Sequence, residues 1–251
     1  MDESRKWIEA IDNRKSTRRY KLEVISSTKI HRLKDLIAQM NETEKINIKL
    51  IKDGTKAFSN FKTTYGMFEG VRTFIALVGD KTLVGYKKKL GYFGEILALE
   101  ATSHGLGTCW VGGTYDKDHC IGKLDLKENE ELVCIITIGR SAQKVKLRDK
   151  LVKTFLKNNK MMDDVFRTDE KIIPAYIKGG LESVIKAPSA LNKKPISYEY
   201  KDGKVYASIS KENHGFEEID LGISMLHFEL GSLDTGYAGK WIVEDGENVY
   251  I

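Results

Sequence analysis

GYFGEILALEATSHGLGTCW, residues 91–110, and GISMLHFELGSLDTGYAGKW, residues 222–241, decide the fold between them. Each opens on glycine, runs through an apolar pattern of helical length, meets another glycine and ends on tryptophan. Gly91, Gly105 and Trp110 stand 131 residues before Gly222, Gly236 and Trp241, and Leu97 and Leu99 correspond to Phe228 and Leu230 at the same offset. The approach to each stretch repeats as well. KIHRLKDLIAQM (29–40) puts Ile30, Leu33, Leu36, Ile37 and Met40 on one helical face; INIKLI (46–51) alternates as a strand, and Lys52-Asp53-Gly54 closes it. LESVIKAPSALNKKP (181–195) begins as a helix that Pro188 stops; ISYEY (196–200) alternates, and Lys201-Asp202-Gly203 closes it. Helix–glycine–strand units are common, yet two anchored matches in one order favour a diverged duplication over coincidence. The chain then reads as one unit, 1–251, whose halves (roughly 1–150 and 165–251) form a pseudo-two-fold pair. Such a pair imitates the interface of a homodimer.

The remaining elements fit between these anchors. Trp7, Ile8 and Ile11 fall at helical spacing and predict a short docked helix that ends near Arg14. TFIALVGD (73–80) and ELVCIITIG (131–139) read as buried strands, and VYASIS (205–210) as another. Helices are predicted over 92–105 and 219–235; TCWVGG (108–113) is followed by a polar loop, and Lys144 to Asp164 reads as a charged crossover.

Composition removes several classes. Of 251 residues 41% are apolar, enough for a sizeable core, and 41 basic against 36 acidic residues leave a net charge of only +5, too little to argue for a nucleic-acid partner. Three cysteines at irregular spacing give no disulfide framework, which points to a reducing, cytoplasmic compartment. No C-x-x-C pair occurs and His119 adjoins Cys120, so no metal site is expected. The N-terminal residues lack a signal-peptide pattern, and no apolar run approaches the roughly 18 residues of a membrane span. Gly105-Leu106-Gly107 closes a helix and is followed by Trp110 where a dinucleotide fingerprint needs glycine. Neither a P-loop nor a G-x-S-x-G motif is present.

NRKSTRRYK (13–21) sets Arg14, Lys15, Arg18, Arg19 and Lys21 around Ser16 and Thr17. Alone, that is as well explained by a solvated basic face as by an anion site. Other motifs accompany it. Arg14-Lys15-Ser16-x-Arg18-x-Tyr20 resembles the start of the nitroreductase family of flavoenzymes. Ala187-Pro188-Ser189-Ala190-Leu191-Asn192-x-Lys194-Pro195 resembles its Pro-Ser-x-x-Asn-x-Gln-Pro loop, and the helix before Gly105-Leu106-Gly107-Thr108-Cys109-Trp110 resembles its third signature. Asp220-x-Gly222-x-x-Met225-x-His227-Phe228-Glu229-Leu230, closing in Gly239-Lys240-Trp241, resembles the subfamily in which one chain carries both halves of the usual dimer.

The resemblance implies an α+β fold, a central antiparallel sheet wrapped by helices, with FMN at the seam of the two halves. It implies donors to the flavin from Arg14, Lys15, Ser16 and Arg18, a loop of Pro188, Ser189, Asn192 and Lys194 against the ring, and close backbone approach at Trp110, Val111, Gly112 and Gly113. The residue types match the chemistry of the ligand. A guanidinium grips phosphate or a polar ring edge with two parallel bonds, and an amide donates and accepts at once on a pyrimidine edge. A later basic residue, Arg148 or Lys160, is expected to reach the phosphate. No residue is named as catalytic, since the flavin carries the chemistry. Two departures stand out: Lys194 replaces the family's Gln, where it either favours an anionic reduced ring or points to solvent, and Ile196 replaces a Trp. Trp110, Trp241, His227 and Cys109 also read as core residues in their own right.

The Arg-x-Ser-x-Arg motif occurs only in the first half and Pro-Ser-x-x-Asn only in the second, where the first half has Gln39-Met40-Asn41-Glu42. Each half thus carries one part of a site, and one FMN per chain is expected. The activity implied is electron transfer from NAD(P)H to a nitroaromatic, quinone or similar small acceptor, by a chain able to work as a monomer. The alternative is a flavin-binding or partner-binding module without efficient turnover.

Overall fold

The computed structural model describes residues 3–60, 64–142 and 164–251. The chain divides into two compact units, Asn13–Gln143 and Met1–Asp12 with Lys144–Ile251. The N-terminal helix α1 (Glu3–Asn13) therefore belongs, over nearly all its length, with the second half of the sequence. Lys186 reaches its Asp12 across 2.6 Å.

In the first unit α2 (Ser27–Glu44) buries the five apolar residues of its predicted face. It leads into β1 (Asn47–Ile51), a 3₁₀ turn (Thr55–Phe58) and β2 (Thr73–Asp80). Then come α3 (Tyr86–Ser103), β3 (Gly107–Val111), the short α4 (Lys117–Ile121) and β4 (Glu130–Gly139). The four strands lie in the order β1-β2-β4-β3, antiparallel throughout. β2 and β4 are central and buried on both faces, which is why they read as continuous apolar runs rather than alternating ones. Phe74, Ala76 and Val78 face a cluster with Phe58, Tyr115 and Ile135, while Ile75 and Leu77 are buried on the opposite side.

The second unit continues with β5 (Phe166–Thr168), α5 (Ala175–Lys186), β6 (Ile196–Lys201) and β7 (Lys204–Ile209). It closes with α6 (Glu217–Asp234), β8 (Trp241–Glu244) and β9 (Glu247–Tyr250). Its sheet runs β5-β6-β7-β9-β8; β5 pairs β6 in parallel, and the other neighbours are antiparallel. Two-residue turns join β6 to β7 and β8 to β9. Asp202-Gly203 (φ 51° and 74°) and Asp245-Gly246 (φ 51° and 84°) give the double left-handed turn that matches strand twist. The core is aromatic: Phe228 stacks on Tyr198 at 5.2 Å and meets Tyr250 edge-on at 5.1 Å.

The fold is thus α+β with antiparallel sheets and flanking helices; there are two sheets among the described residues, one to each unit, instead of one central sheet. The units share an element order. α3 and α6 are both 18 residues long, at the same 131-residue offset. Gly105 and Gly236 follow them with φ of 73° and 93°, the left-handed stop of a helix. Setting β5 aside, the strand orders β1-β2-β4-β3 and β6-β7-β9-β8 correspond. The repeat is not perfect: Gly54 has φ −104° and leads into a 3₁₀ turn, whereas Gly203 turns a tight hairpin, although Lys-Asp precedes both. The predicted crossover, Lys144 to Asp164, lies almost wholly outside the described residues, as do Arg148 and Lys160.

Candidate functional site

The basic segment is laid along the first unit's sheet. Ser16 bridges Thr108 in parallel, and Thr17 N–H donates to the Thr108 carbonyl at 2.8 Å. Thr17 and Tyr20 turn inward; the Tyr20 hydroxyl donates to the Thr17 carbonyl at 2.6 Å and lies 2.7 Å from Thr137 Oγ1. Burial pushes the Tyr20 hydroxyl's pKa well up, so it stays protonated. With these two anchored, Ser16, Arg18 and Arg19 stay exposed and Lys15 half-buried.

Arg14 departs from an open basic face. Its side chain is only 8% exposed, and its Nε lies 3.6 Å from Oε1 of Glu95, a fully buried carboxylate of α3. The other oxygen of Glu95 accepts the indole N–H of Trp110 at 2.7 Å. Nε and Nη1 of Arg14 have no hydrogen-bond partner among the described residues. Buried donors are nearly always satisfied, and leaving one without an acceptor costs about 1–3 kcal/mol. Buried cationic N–H groups are donors of the kind a phosphate or a flavin carbonyl accepts, and so fit FMN. Cys109 sits against the same segment. Burial pushes its thiol up, against the pull of Arg18, Ser16 and Arg14. It is a neutral, buried thiol.

Beyond Trp110, Val111 is buried while Gly112 and Gly113 are exposed at the end of β3. A Cβ on Gly113 would meet nothing within 4 Å, so the protein's own packing does not demand glycine there. The residue leaves backbone open to approach.

In the second unit the loop after α5 is tightly held. Asp220, buried on α6, accepts Ala190 N–H at 2.9 Å and the Asn213 amide at 2.7 Å, and that amide also donates to the Ala190 carbonyl at 2.9 Å. Ser189 Oγ accepts Lys194 N–H at 3.0 Å. Leu191, Asn192 and Lys194 adopt φ of 51°, 56° and 48°. Three non-glycine residues in the left-handed region store strain that the surrounding bonds must offset. The outcome is display: Asn192 is exposed and its side-chain amide has no hydrogen bond among the described residues. Pro188 and Ser189, earlier in the same loop, are half-buried.

Lys194 does not point to solvent as one expectation had it. Its ammonium turns back to donate to the carbonyls of Ile185, at 2.7 Å, and Ala187, at the end of α5. A helix C-terminus carries exposed carbonyls and partial negative charge, which a lysine neutralises. The residue supports the loop from behind. Ile196, where the family has Trp, is the buried first residue of β6. In the first half Asn41 brackets Ile48, accepting its N–H at 2.8 Å and donating to its carbonyl at 2.9 Å, within the regular helix α2. No displayed loop exists at that place.

Sequence reasoning missed Glu95 and Asn213, and assigned no role to Asp220. A carboxylate at the head of the apolar run Ile96–Leu99 was the available sign for Glu95, because acids seldom enter such a run unpaired. His227 is a core histidine, fully buried with Nδ1 3.1 Å from the Ser183 carbonyl. Among the described residues no three His, Cys, Asp or Glu side chains gather as a metal would need, and no helix is long and apolar enough to cross a membrane.

This α+β arrangement of antiparallel sheets and helices is a nitroreductase fold. A family described as "Putative TM nitroreductase" matches residues 6–232, and the chain belongs to it. Among solved structures, a putative nitroreductase from Thermotoga maritima is similar over 97% of this chain and 91% of its own, with 22% identity and a TM-score of 0.64. A nitroreductase with bound FMN from Desulfitobacterium hafniense matches 60% of this chain and 97% of its own at 18% identity and a TM-score of 0.46. A putative NADH oxidase from Clostridium acetobutylicum matches 54% and 89% at 21% identity and a TM-score of 0.44. No curated protein matches the sequence.

Proposed function

We propose that this chain is an FMN-dependent oxidoreductase that passes electrons from NAD(P)H to a nitroaromatic, quinone or similar small acceptor in the cytoplasm. Family membership supports the class. The observation that carries the cofactor is Arg14, a nine-tenths buried guanidinium with two N–H groups lacking an acceptor among the described residues. FMN when bound supplies the hydride and electron chemistry; the protein binds and orients. Arg14 offers its buried donors, with Lys15, Ser16 and Arg18 adding charge and a hydroxyl. Asn192 presents a free amide on a loop stiffened over Pro188 and Ser189, and the backbone from Trp110 to Gly113 allows close contact. Lys194 serves by holding that loop.

A visible absorbance spectrum and an FMN titration of the purified protein test this directly. Arg14→Ala should weaken FMN binding by about 1.5–3 kcal/mol, the range for a hydrogen bond to a charged group. An unchanged dissociation constant would remove the assignment. A second reading, a flavin-binding module without efficient turnover, is favoured by Lys194 and Ile196, which are engaged in the scaffold where the family has Gln and Trp. Appreciable steady-state NAD(P)H oxidation with quinone or nitro acceptors rules it out.

A further inference from the structure

We infer that Glu95 is a positioning residue, holding the buried Arg14 guanidinium in place by charge without taking up its Nε and Nη1 donors. The inference rests on the flavin reading for the identity of their ligand. A buried guanidinium needs a nearby anion, since an unpaired charge in the interior is very costly. A ligand-binding guanidinium needs N–H groups that no protein acceptor has claimed. The geometry meets both needs at once. At 3.6 Å the Nε–Oε1 separation is close enough for strong attraction and too long for a hydrogen bond, so Nε and Nη1 remain orphaned. Glu95 is itself fixed by the 2.7 Å bond from Trp110.

The second unit shows that the acid is not needed to build a helix–glycine–tryptophan element. At the 131-residue offset the place of Glu95 is taken by Leu226, and the Trp241 indole donates instead to the Met225 carbonyl at 2.9 Å. A tryptophan at this position is satisfied by backbone when no carboxylate is present. What is particular to the first unit is the arginine beside the acid.

The test is a double-mutant cycle on FMN affinity, read by fluorescence titration of flavin-stripped protein. Glu95→Gln keeps an oxygen for the Trp110 indole and removes the charge. It should weaken FMN binding about tenfold in the wild-type background, within the usual range for coupled neighbours. In an Arg14→Ala background it should change almost nothing. An equal loss in both backgrounds means that Glu95 acts on the fold at large and overturns the inference. Tighter binding also overturns it, since the carboxylate would then compete for Arg14. Should Glu95→Gln not fold, Glu95→Asp, which withdraws the charge by one methylene, is read in the same cycle. Absence of FMN binding by the wild-type chain removes the flavin reading and this inference together; binding with no coupling removes the inference alone.

Discussion

Lys194 shows how far one side chain can differ from its motif. In sequence it stands beside Asn192 in a loop expected to meet a flavin; in the fold its ammonium is bound to the last carbonyls of α5. Lys194→Met should therefore lower the free energy of unfolding by about 1 kcal/mol, the net worth of such bonds, seen as a lower urea midpoint at unchanged slope. It should leave the reduction midpoint of bound flavin where it is, whereas a lysine at the ring edge would make that midpoint fall when removed. Asp220 gives a pH-dependent counterpart. Burial raises its pKa from 3.8 to about 6, opposed by the Ala190 N–H and the Asn213 amide, with Glu217 adding to the rise and Lys194 reducing it. The folded state then holds the proton more tightly than the unfolded chain. The stability this confers is complete below pH 3.8 and is lost as pH climbs through about 6. The stability of wild type relative to Asp220→Asn should fall across that window and stay level above it; a flat relative stability would mean Asp220 titrates normally. Arg14 was legible in the sequence because cations cluster around it. Glu95 was not, because its partner comes from a segment some eighty residues away, and only the fold brings the two together.

At the level of elements, periodicity found the long helices and continuous apolar runs found the central strands, but the short α4 (Lys117–Ile121) lies where a polar loop was expected. Element starts were less legible. α5 begins at Ala175, six residues before its apolar pattern was recognised, because Gly179-Gly180 reads as a break. The glycines are instead where α5 meets α6: a Cβ on Gly179 would stand 2.7 Å from the Gly231 carbonyl oxygen. Interhelical contact outweighs the weak helix propensity of glycine. The hairpin β8–β9 carried a readable signal, Asp245-Gly246 between alternating residues, whereas three-residue β5 carries none. Gly246 has φ 84°, and an added Cβ would meet nothing within 4 Å. Gly246→Ala should thus cost about 1 kcal/mol from backbone strain alone, measured as a lower thermal midpoint without loss of secondary structure. A neutral result would show that the turn relaxes.

For the whole molecule, the repeated glycines and tryptophans at one offset made the shared element order visible in advance. The second sheet was not foreseen, nor the pairing of α1 with the second unit, since a helix's partner is set by which apolar face remains uncovered and not by its neighbours in sequence. The divided motifs lead to a stoichiometric expectation. FMN titration should saturate at about one per chain, as one complete set of donors predicts, and two per chain would mean that the second half keeps a site of its own.

Positions 95 and 226 stand at corresponding places of α3 and α6, at the 131-residue offset, and hold different residues. Two identical subunits have no such freedom, because every substitution appears on both sides of their symmetry axis. Here the two positions lie in one chain, and either can change without the other. A buried carboxylate can stand at one place and a leucine at the other, so a single chain carries that charge once.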